Sequence, residues 1–286
     1  MIDGFLAGRK IQIPESWAEL PAGKVPEVLQ LLYVLPESGQ TYHELLRICL
    51  GMGRRQWKAL IGPFFAADLS DEEKQENALV LHNVMTMVSW LWTQPVTVRP
   101  FPHFDHDDVR YLLPEEQMKT MSFGELSDAH IHFTAHVKGM AEGDEQLDLL
   151  VATICRPQRP GDCESDPAWD GDHREPYNPA LTEYRAKKLA SLPIDIKTGI
   201  LVYFAGMEKD VLDHYDIFES ASPDSAGEEE YPGQGWIKNQ HLIAATGIFG
   251  NMRDTKGTSV HDILLYLEED KKDRAARAKA EAAINR

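Results

Sequence analysis

The sequence has few cysteines, no long apolar run and no excess of positive charge. Three cysteines occur in 286 residues, at positions 49, 155 and 163, and their odd number and irregular spacing do not form a disulfide framework. We therefore expect a reduced, cytoplasmic protein. The N-terminal residues lack the basic start and apolar run of a signal peptide, so we expect none.

The most apolar segment of the chain is NALVLHNVMTMVSWLW at 77–92. It contains His82 and Asn83, and it is shorter than the ~20 residues that span a bilayer. This segment therefore predicts a buried helix and no membrane association.

Positive charge is also scarce, because the formal net charge is −17. Binding to nucleic acid needs a local excess of Lys and Arg that contacts phosphates. The charge therefore predicts no nucleic-acid partner and favours a basic protein partner instead. With 43% hydrophobic and 26% charged residues, the composition is that of an ordinary globular protein.

Signals for helix starts are much more frequent than strand patterns. A Ser or Thr followed three residues later by Glu can satisfy the free amides at a helix start, and it occurs at Ser16/Glu19, Thr41/Glu44, Ser70/Glu73 and Ser122/Glu125. Asn178-Pro179 is a further start signal. Strand patterns are confined to 10–13 and 95–101. We predict a mainly α fold, an irregular multi-helix domain with a small β element.

Two polar stretches divide the sequence into predicted regions. Residues 156–179 are rich in Pro, Gly and Asp, which predicts a long loop between helices. Residues 219–235 have the composition of a flexible acidic linker. We therefore predict a helical body at 1–218, this linker, and a short C-terminal helical unit at 236–286. That unit ends in a charged helix with no apolar stripe after Leu267.

The segment SDAHIHFTAH at 127–136 contains side chains that are common metal ligands. Its apolar residues alternate as in a strand, but the start signal at Ser122/Glu125 favours a helix. On a helix, Asp128, His132 and His136 are spaced by four residues and share one face. They could supply ligands to a metal, or they could form the solvated polar face of an ordinary helix.

A second candidate metal site follows the predicted strand at 95–101. His103, Asp105 and His106 are metal-ligand types within one short segment, FPHFDHDDVRY. The neighbouring Asp107 and Asp108 could equally cap a helix beginning at VRYLL. Metal binding by either cluster is the weaker alternative, and we predict no cofactor.

No pattern in the sequence indicates catalysis. Glycine-rich phosphate loops, dinucleotide fingerprints and nucleophile elbows are lacking, so we predict a protein that is not an enzyme. Trp169 and Trp236 lie at the edges of the two polar stretches. A Trp beside such a segment could anchor a partner, or it could pin the segment to the core.

Several segments of the chain follow one another in an order that resembles a known family: IQIPESWAEL, FGELSDAHIHFTAHVKG, LVATICRP, REPYNPALTEYRAKKLASLPIDIKTGILVYFAGM and GWIKNQHLIAATGIFGNM. The order is similar to that of uncharacterised proteins encoded in prophage-like regions of Bacteroidetes. The resemblance covers most of the chain, but its motifs are packing motifs. It therefore implies no catalytic residues.

The resemblance implies a role in building a phage-like particle. A helical body with an acidic linker is compatible with a tail-assembly chaperone that shields the helices of a long particle or tail protein. We therefore expect a non-enzymatic assembly protein with a helical protein partner, in the cytoplasm or incorporated in the particle. The alternatives are a structural subunit that associates through residues 268–286, and a metal-dependent hydrolase.

Overall fold

The computed structural model describes residues 1–21, 23–167, 169–215, 217 and 233–284. The chain forms two compact units, Met1–Phe101 with Ile194–Gly199, and Pro102–Pro193 with Ile200–Arg286. Helices predominate in both units, which confirms the predicted mainly α fold with a small β element. No described helix combines the length and the apolar character that crossing a bilayer requires.

The first unit begins with a two-stranded antiparallel sheet, and its remaining elements are helices. Its elements are β1 (Ile2–Leu6), β2 (Arg9–Ile13), α1 (Val25–Tyr33), α2 (Gly39–Cys49), α3 (Arg54–Ile61), α4 (Asp71–Met87) and α5 (Trp90–Thr93). The rings of Trp17 and Trp90 pack edge to face in the core, with centroids 5.3 Å apart. The indole N–H of Trp90 donates to the Pro14 carbonyl at 2.7 Å, which satisfies its buried polar atom.

The second unit contains a three-stranded antiparallel sheet, with strand order β3-β4-β5, and the other helices. Its elements are β3 (His103–His106), β4 (Val109–Leu112), α6 (Phe123–Val137), α7 (Glu145–Ile154), β5 (Arg156–Pro157), α8 (Pro179–Leu189), α10 (Gln234–Thr246), α11 (Met252–Gly257) and α12 (Val260–Ile284). Helix α9 (Ile194–His214) contributes residues to both units.

Helix α6 lies at the centre of the second unit. It packs against α7, α10, α11 and α12, and its first residue is fixed by a backbone hydrogen bond from the Phe123 amide to the Thr258 carbonyl, 2.8 Å. Gly124 allows the close approach of α11, because a Cβ at this position would lie 3.0 Å from the Lys256 Cβ. The start of α6 is therefore held by residues far away in the sequence.

The predicted helix starts are confirmed in part. Ser70 and Glu73 form the expected reciprocal cap of α4, and the Asn178 side chain caps α8 with Pro179 at its first position. Ser122 caps α6, but the carboxylate of Glu125 does not complete that cap. The other two expected caps are wrong. Helix α2 begins two residues before Thr41. A 3₁₀ turn at Trp17–Glu19 follows Ser16, but the Ser16 side chain forms no cap hydrogen bond, and the Glu19 carboxylate accepts from the Glu15 backbone amide and the Met1 ammonium.

The strand predicted at 95–101 is wrong, whereas that at 10–13 is confirmed as β2. Pro95 and Pro100 lack the amide donors of a strand ladder, and the strands form further along the chain, as the β3–β4 hairpin. Asp107 and Asp108 form its turn with φ of 48° and 60°. They do not cap a helix, because VRYL at 109–112 is strand β4.

The prediction of a buried helix at 77–92 is confirmed for the helical structure, whereas burial is confirmed only for Val84, Val88, Trp90 and Leu91. This segment belongs to α4 and α5, and most side chains of α4 are exposed or half-buried, with Val84 as its buried residue. The long loop at 156–179 is confirmed, with β5 and a 3₁₀ turn at Cys163–Ser165 within it. Residues 219–232 of the predicted acidic linker lie outside the described residues, and the predicted boundaries at 218 and 236 stay predictions.

Candidate functional site

Two surfaces of the described residues could bind a partner or ligand. The first lies on α4, in the first unit, and is called the α4 surface. It consists of residues whose spacings of three, four and seven positions place them along one helical face: Glu72, Glu76, Leu79, Val80 and Met87. Leu79 is 59% exposed, Val80 38% and Met87 46%. The α4 surface is therefore acidic at one end and apolar at the other.

The second surface is a cleft of about 1500 Å³ in the second unit, called the main cleft. Its walls come from the start of α6, the long loop, the start of α8, and α11. A buried ionic cluster of Glu125, Arg156, Asp172 and Arg174 lies beside it, and three of these residues line it. The loop that the sequence predicts as irregular therefore supplies much of this site.

The buried ionic cluster joins α6 to the long loop through four ion pairs. Arg156 contacts Glu125 at 3.0 Å and Asp172 at 2.8 Å. Arg174 contacts the same two carboxylates at 2.8 and 2.9 Å. It also donates to the carbonyl of Ile154 at 2.7 Å. The cluster contains two positive and two negative side chains, so every buried charge has a counter-charge. An unpaired charge in the protein interior would be strongly destabilising.

Burial and ion pairing shift the pKa values of these groups in opposite directions. Burial raises the pKa of Glu125, and Arg174 and Arg156 oppose that effect. Burial alone would lower the pKa of Arg174, but Glu125 and Asp172 raise it above its ordinary value. Burial lowers the pKa of Arg156, although the charge of Glu125 acts to raise it. The arginines stay charged, and the cluster acts as a structural connection between α6 and the loop.

Tyr177 and Glu175 extend the cluster toward α8. The Tyr177 hydroxyl donates to Asp128 at 2.6 Å, and burial together with the Asp128 charge raises the pKa of Tyr177. The guanidinium of Arg156 lies over the Tyr177 ring, 5.9 Å from its centroid. Arg185 contacts the Glu175 carboxylate at 2.5 Å. Tyr177 is therefore held as a neutral phenol in the wall of the main cleft.

The residues of the first predicted metal site are only partly brought together. Asp128 and His132 both line a smaller cleft of about 650 Å³, in which His136 does not take part. The Asp128 carboxylate is engaged by Tyr177, and the His132 ring contacts the Gln146 side chain at 3.0 Å.

The second predicted metal site falls in the β3–β4 hairpin, and its side chains face different partners. Asp105 pairs with Arg110 at 3.0 Å, and His106 lies 3.0 Å from the Lys188 carbonyl, while His103 begins the strand. Within the ranges that the structure describes, no group of three or more His, Cys, Asp and Glu side chains is arranged to hold a metal ion.

The two tryptophans predicted as partner anchors occupy different environments. Trp236 is 9% exposed and its ring packs on Phe123 and His130, so it belongs to the core of the second unit. Trp169 is half-buried, and its ring packs against His173, with the Arg159 guanidinium 5.5 Å from its centroid. The burial of Trp236 therefore argues against its predicted role as a partner anchor.

The cluster residues Arg156, Asp172 and Arg174 were missed by reasoning from the sequence. They lie in a Pro- and Gly-rich stretch, and the charge-rich run DGDHRE at 170–175 is the only local signal. Their partner Glu125 lies 31 and 49 positions from the two arginines. A pairing across that separation leaves no periodic pattern in the chain.

Comparison of the chain with protein-family models, with curated proteins and with solved structures gave no match. The two surfaces therefore have to be interpreted from their own chemistry.

Proposed function

We propose that this protein is a non-enzymatic, chaperone-like assembly protein of a phage-like particle, which binds a helical segment of a particle or tail protein. The main observation in support of this proposal is the α4 surface, where large apolar side chains are exposed on a helix that buries Val84. The order of the segments quoted above, which resembles that of prophage-encoded proteins, supports the setting. The protein would act in the cytoplasm.

The chemistry of the α4 surface specifies the partner. From residue 72 to residue 87 it extends over ~22 Å, at ~1.5 Å per residue, which matches about four turns of a second helix. Leu79, Val80 and Met87 would pack on an apolar stripe. Glu72 and Glu76 form no ion pair with any described residue, so they would face basic side chains. The partner is therefore a basic, amphipathic helix.

A variant of the α4 surface tests this proposal. Leu79→Glu combined with Met87→Glu places two charges among the apolar side chains without disturbing the core, since both positions are exposed. The matched control is Leu242→Glu with Leu265→Glu, two exposed leucines of the second unit. Both variants add the same charge, so a general electrostatic effect would appear equally in both.

The measurement is fluorescence anisotropy with a labelled helical peptide that has a leucine stripe flanked by lysines. We expect the wild-type chain and the control to bind it, and the α4 variant to bind at least about tenfold more weakly, because each leucine-sized contact contributes ~1.5–3 kcal/mol when fully buried. A peptide with serines in place of the leucines should not bind. Equal weakening in both variants would contradict the proposal.

Mass spectrometry of the proteins that co-purify with the tagged chain from its producing cells then identifies the natural partner. We expect a particle or tail protein that contains a basic amphipathic helix, and a peptide of that helix should depend on Leu79 and Met87 in the same way. Finding the chain in purified particles would favour the structural-subunit alternative. Self-association that the α4 variant abolishes would show that this surface binds a second copy instead.

A further inference from the structure

The main cleft combines paired carboxylates with unpaired cations. Every carboxylate in its wall has a partner: Glu125 and Asp172 with the two arginines of the buried ionic cluster, Asp128 with Tyr177, Asp170 with Arg159, and Glu175 with Arg185. Lys119, Arg253 and Lys256 also line it, and none of them forms an ion pair with a described residue. Tyr177 is neutral and leaves the Asp128 charge uncompensated, but the three unpaired cations outnumber this one carboxylate, so the uncompensated charge in the cleft wall is positive.

A buried donor without a partner lies in the same wall. Arg156 is 2% exposed, and its terminal nitrogens donate to Glu125, Asp172 and the Glu175 carbonyl. Its Nε is buried and has no hydrogen-bond partner among the described residues. Leaving a charged donor unpaired in the interior is costly, and such donors are commonly satisfied by a ligand or an ordered water.

Two helix starts add to the positive potential of the cleft. Residues of the first turn of α6, Gly124 and Glu125, line the cleft, and Asn178 and Pro179 at the start of α8 line it from the other side. The first-turn amides of Phe123, Glu125 and Ala180 already donate to Thr258, Ser122 and Asn178, so these two starts contribute mainly the dipole of the helix, which favours an anion. They supplement the three unpaired cations.

We propose that the main cleft binds a small organic molecule that bears a phosphate group. Three unpaired cations match a phosphate, which carries about −1.5 to −2 charges at neutral pH, better than they match a single carboxylate. The organic part would pack against Tyr177, Leu181 and Met252. A volume of about 1500 Å³ accommodates such a molecule, since small-molecule sites typically enclose ~300–1,000 Å³.

The test uses calorimetry with two probes, inorganic pyrophosphate and ADP, which share a diphosphate and differ in the organic part. The cleft variant is Lys119→Gln, Arg253→Gln and Lys256→Gln. The control is Arg54→Gln, Arg55→Gln and Lys58→Gln, which removes three cations from α3 in the first unit. All six side chains are exposed, so both variants should fold.

We expect both probes to bind the wild-type chain, with ADP binding more tightly. The cleft variant should bind both probes about tenfold or more weakly, because charge-assisted hydrogen bonds are about twice as strong as neutral ones. The control should change the affinities by less than about twofold, since none of its three cations lines the main cleft. If neither probe binds the wild-type chain, or if the control lowers the affinities as much as the cleft variant does, the proposal is wrong.

A second variant separates the organic contact from the phosphate contact. Leu181 lines the cleft and is 40% exposed, so Leu181→Ser should keep the fold. We expect Leu181→Ser to lower the affinity for ADP and to leave the affinity for pyrophosphate unchanged. The control is Leu242→Ser, which should change neither affinity. If pyrophosphate and ADP bind equally and Leu181→Ser affects neither, the site takes a free phosphate and the organic part of the proposal is wrong. The α4 surface is altered in none of these variants, so the two proposals fail independently.

Discussion

At the scale of single residues, Arg174 shows how position in the fold determines the contribution of an ion pair. Its guanidinium is 1% exposed and contacts two buried carboxylates. Arg110 also pairs with a carboxylate, that of Asp105, but both side chains are at least half-exposed. Removing one partner from a buried network leaves an uncompensated charge in the interior. At the surface, water solvates the charge that remains, so the cost is small.

We expect Arg174→Ala to lower the free energy of unfolding by ~3–5 kcal/mol, because Glu125 and Asp172 lose one of their two buried partners. Arg110→Ala should cost no more than ~1 kcal/mol. Urea denaturation of the two variants, followed by circular dichroism, measures both values. A loss of similar size in both variants would mean that the buried cluster does not connect α6 to the long loop as described.

At the scale of elements, the two-residue turns of the hairpins require positive φ at both residues, and the residues present suit this conformation only in part. Ala7 and Gly8 connect β1 to β2, with φ of 48° and 74°. This turn type requires a positive φ at both residues, and Asn-Gly is its preferred sequence. A left-handed conformation costs an ordinary L residue ~1–2 kcal/mol, and Asn tolerates it better than Ala does.

We therefore expect Ala7→Asn to raise the free energy of unfolding of the first unit by ~0.5–1 kcal/mol, since it relieves part of that cost. Ala7→Val should have the opposite effect, because a β-branched side chain tolerates a positive φ least well. Thermal denaturation of both variants beside the wild-type chain tests this. If both substitutions lower the melting temperature, contacts of Ala7 outweigh its backbone conformation.

At the scale of the whole molecule, several exposed carboxyls in both units have lowered pKa values. The Lys10 ammonium lowers the pKa of Asp3, the Arg110 guanidinium that of Asp105, and the Ser70 amide that of Glu73. A group whose pKa is lower in the folded state stabilises the fold above its unfolded pKa, here about 3.8–4.5. That contribution is lost as the pH falls through the folded value.

We expect the urea midpoint to change little between pH 7 and pH 5 and to fall below about pH 4. Glu125 acts in the opposite sense because burial raises its pKa, so the decrease requires that the lowered groups dominate. Asp3→Asn with Asp105→Asn should make the acid decrease shallower. Asp68→Asn with Asp273→Asn, at exposed positions without an ion pair among the described residues, is the charge-matched control. Identical acid profiles for the two variants would contradict this account.

The sequence by itself determined the features that depend on neighbours along the chain. The cap of α4 by Ser70 and Glu73 and the start of α8 at Asn178-Pro179 involve residues within three positions of each other, so their pattern identified them. The frequency of such helix-start signals, against few strand patterns, likewise predicted the mainly α fold. The pattern at Ser122/Glu125 gave the start of α6 correctly, but it misassigned the carboxylate of Glu125.

Only the tertiary structure decided what those elements do. The Glu125 carboxylate pairs with Arg156 and Arg174, which lie in a loop that carries no periodic pattern. An apolar run at 77–92 predicted burial, but whether α4 buries its apolar side chains depends on which elements pack on it, and the structure leaves Leu79 and Met87 exposed. The main cleft therefore arises from contacts between distant segments, whereas the α4 surface is one face of a single helix whose exposure depends on which segments pack beside it. The folded chain, and no local pattern, decides both.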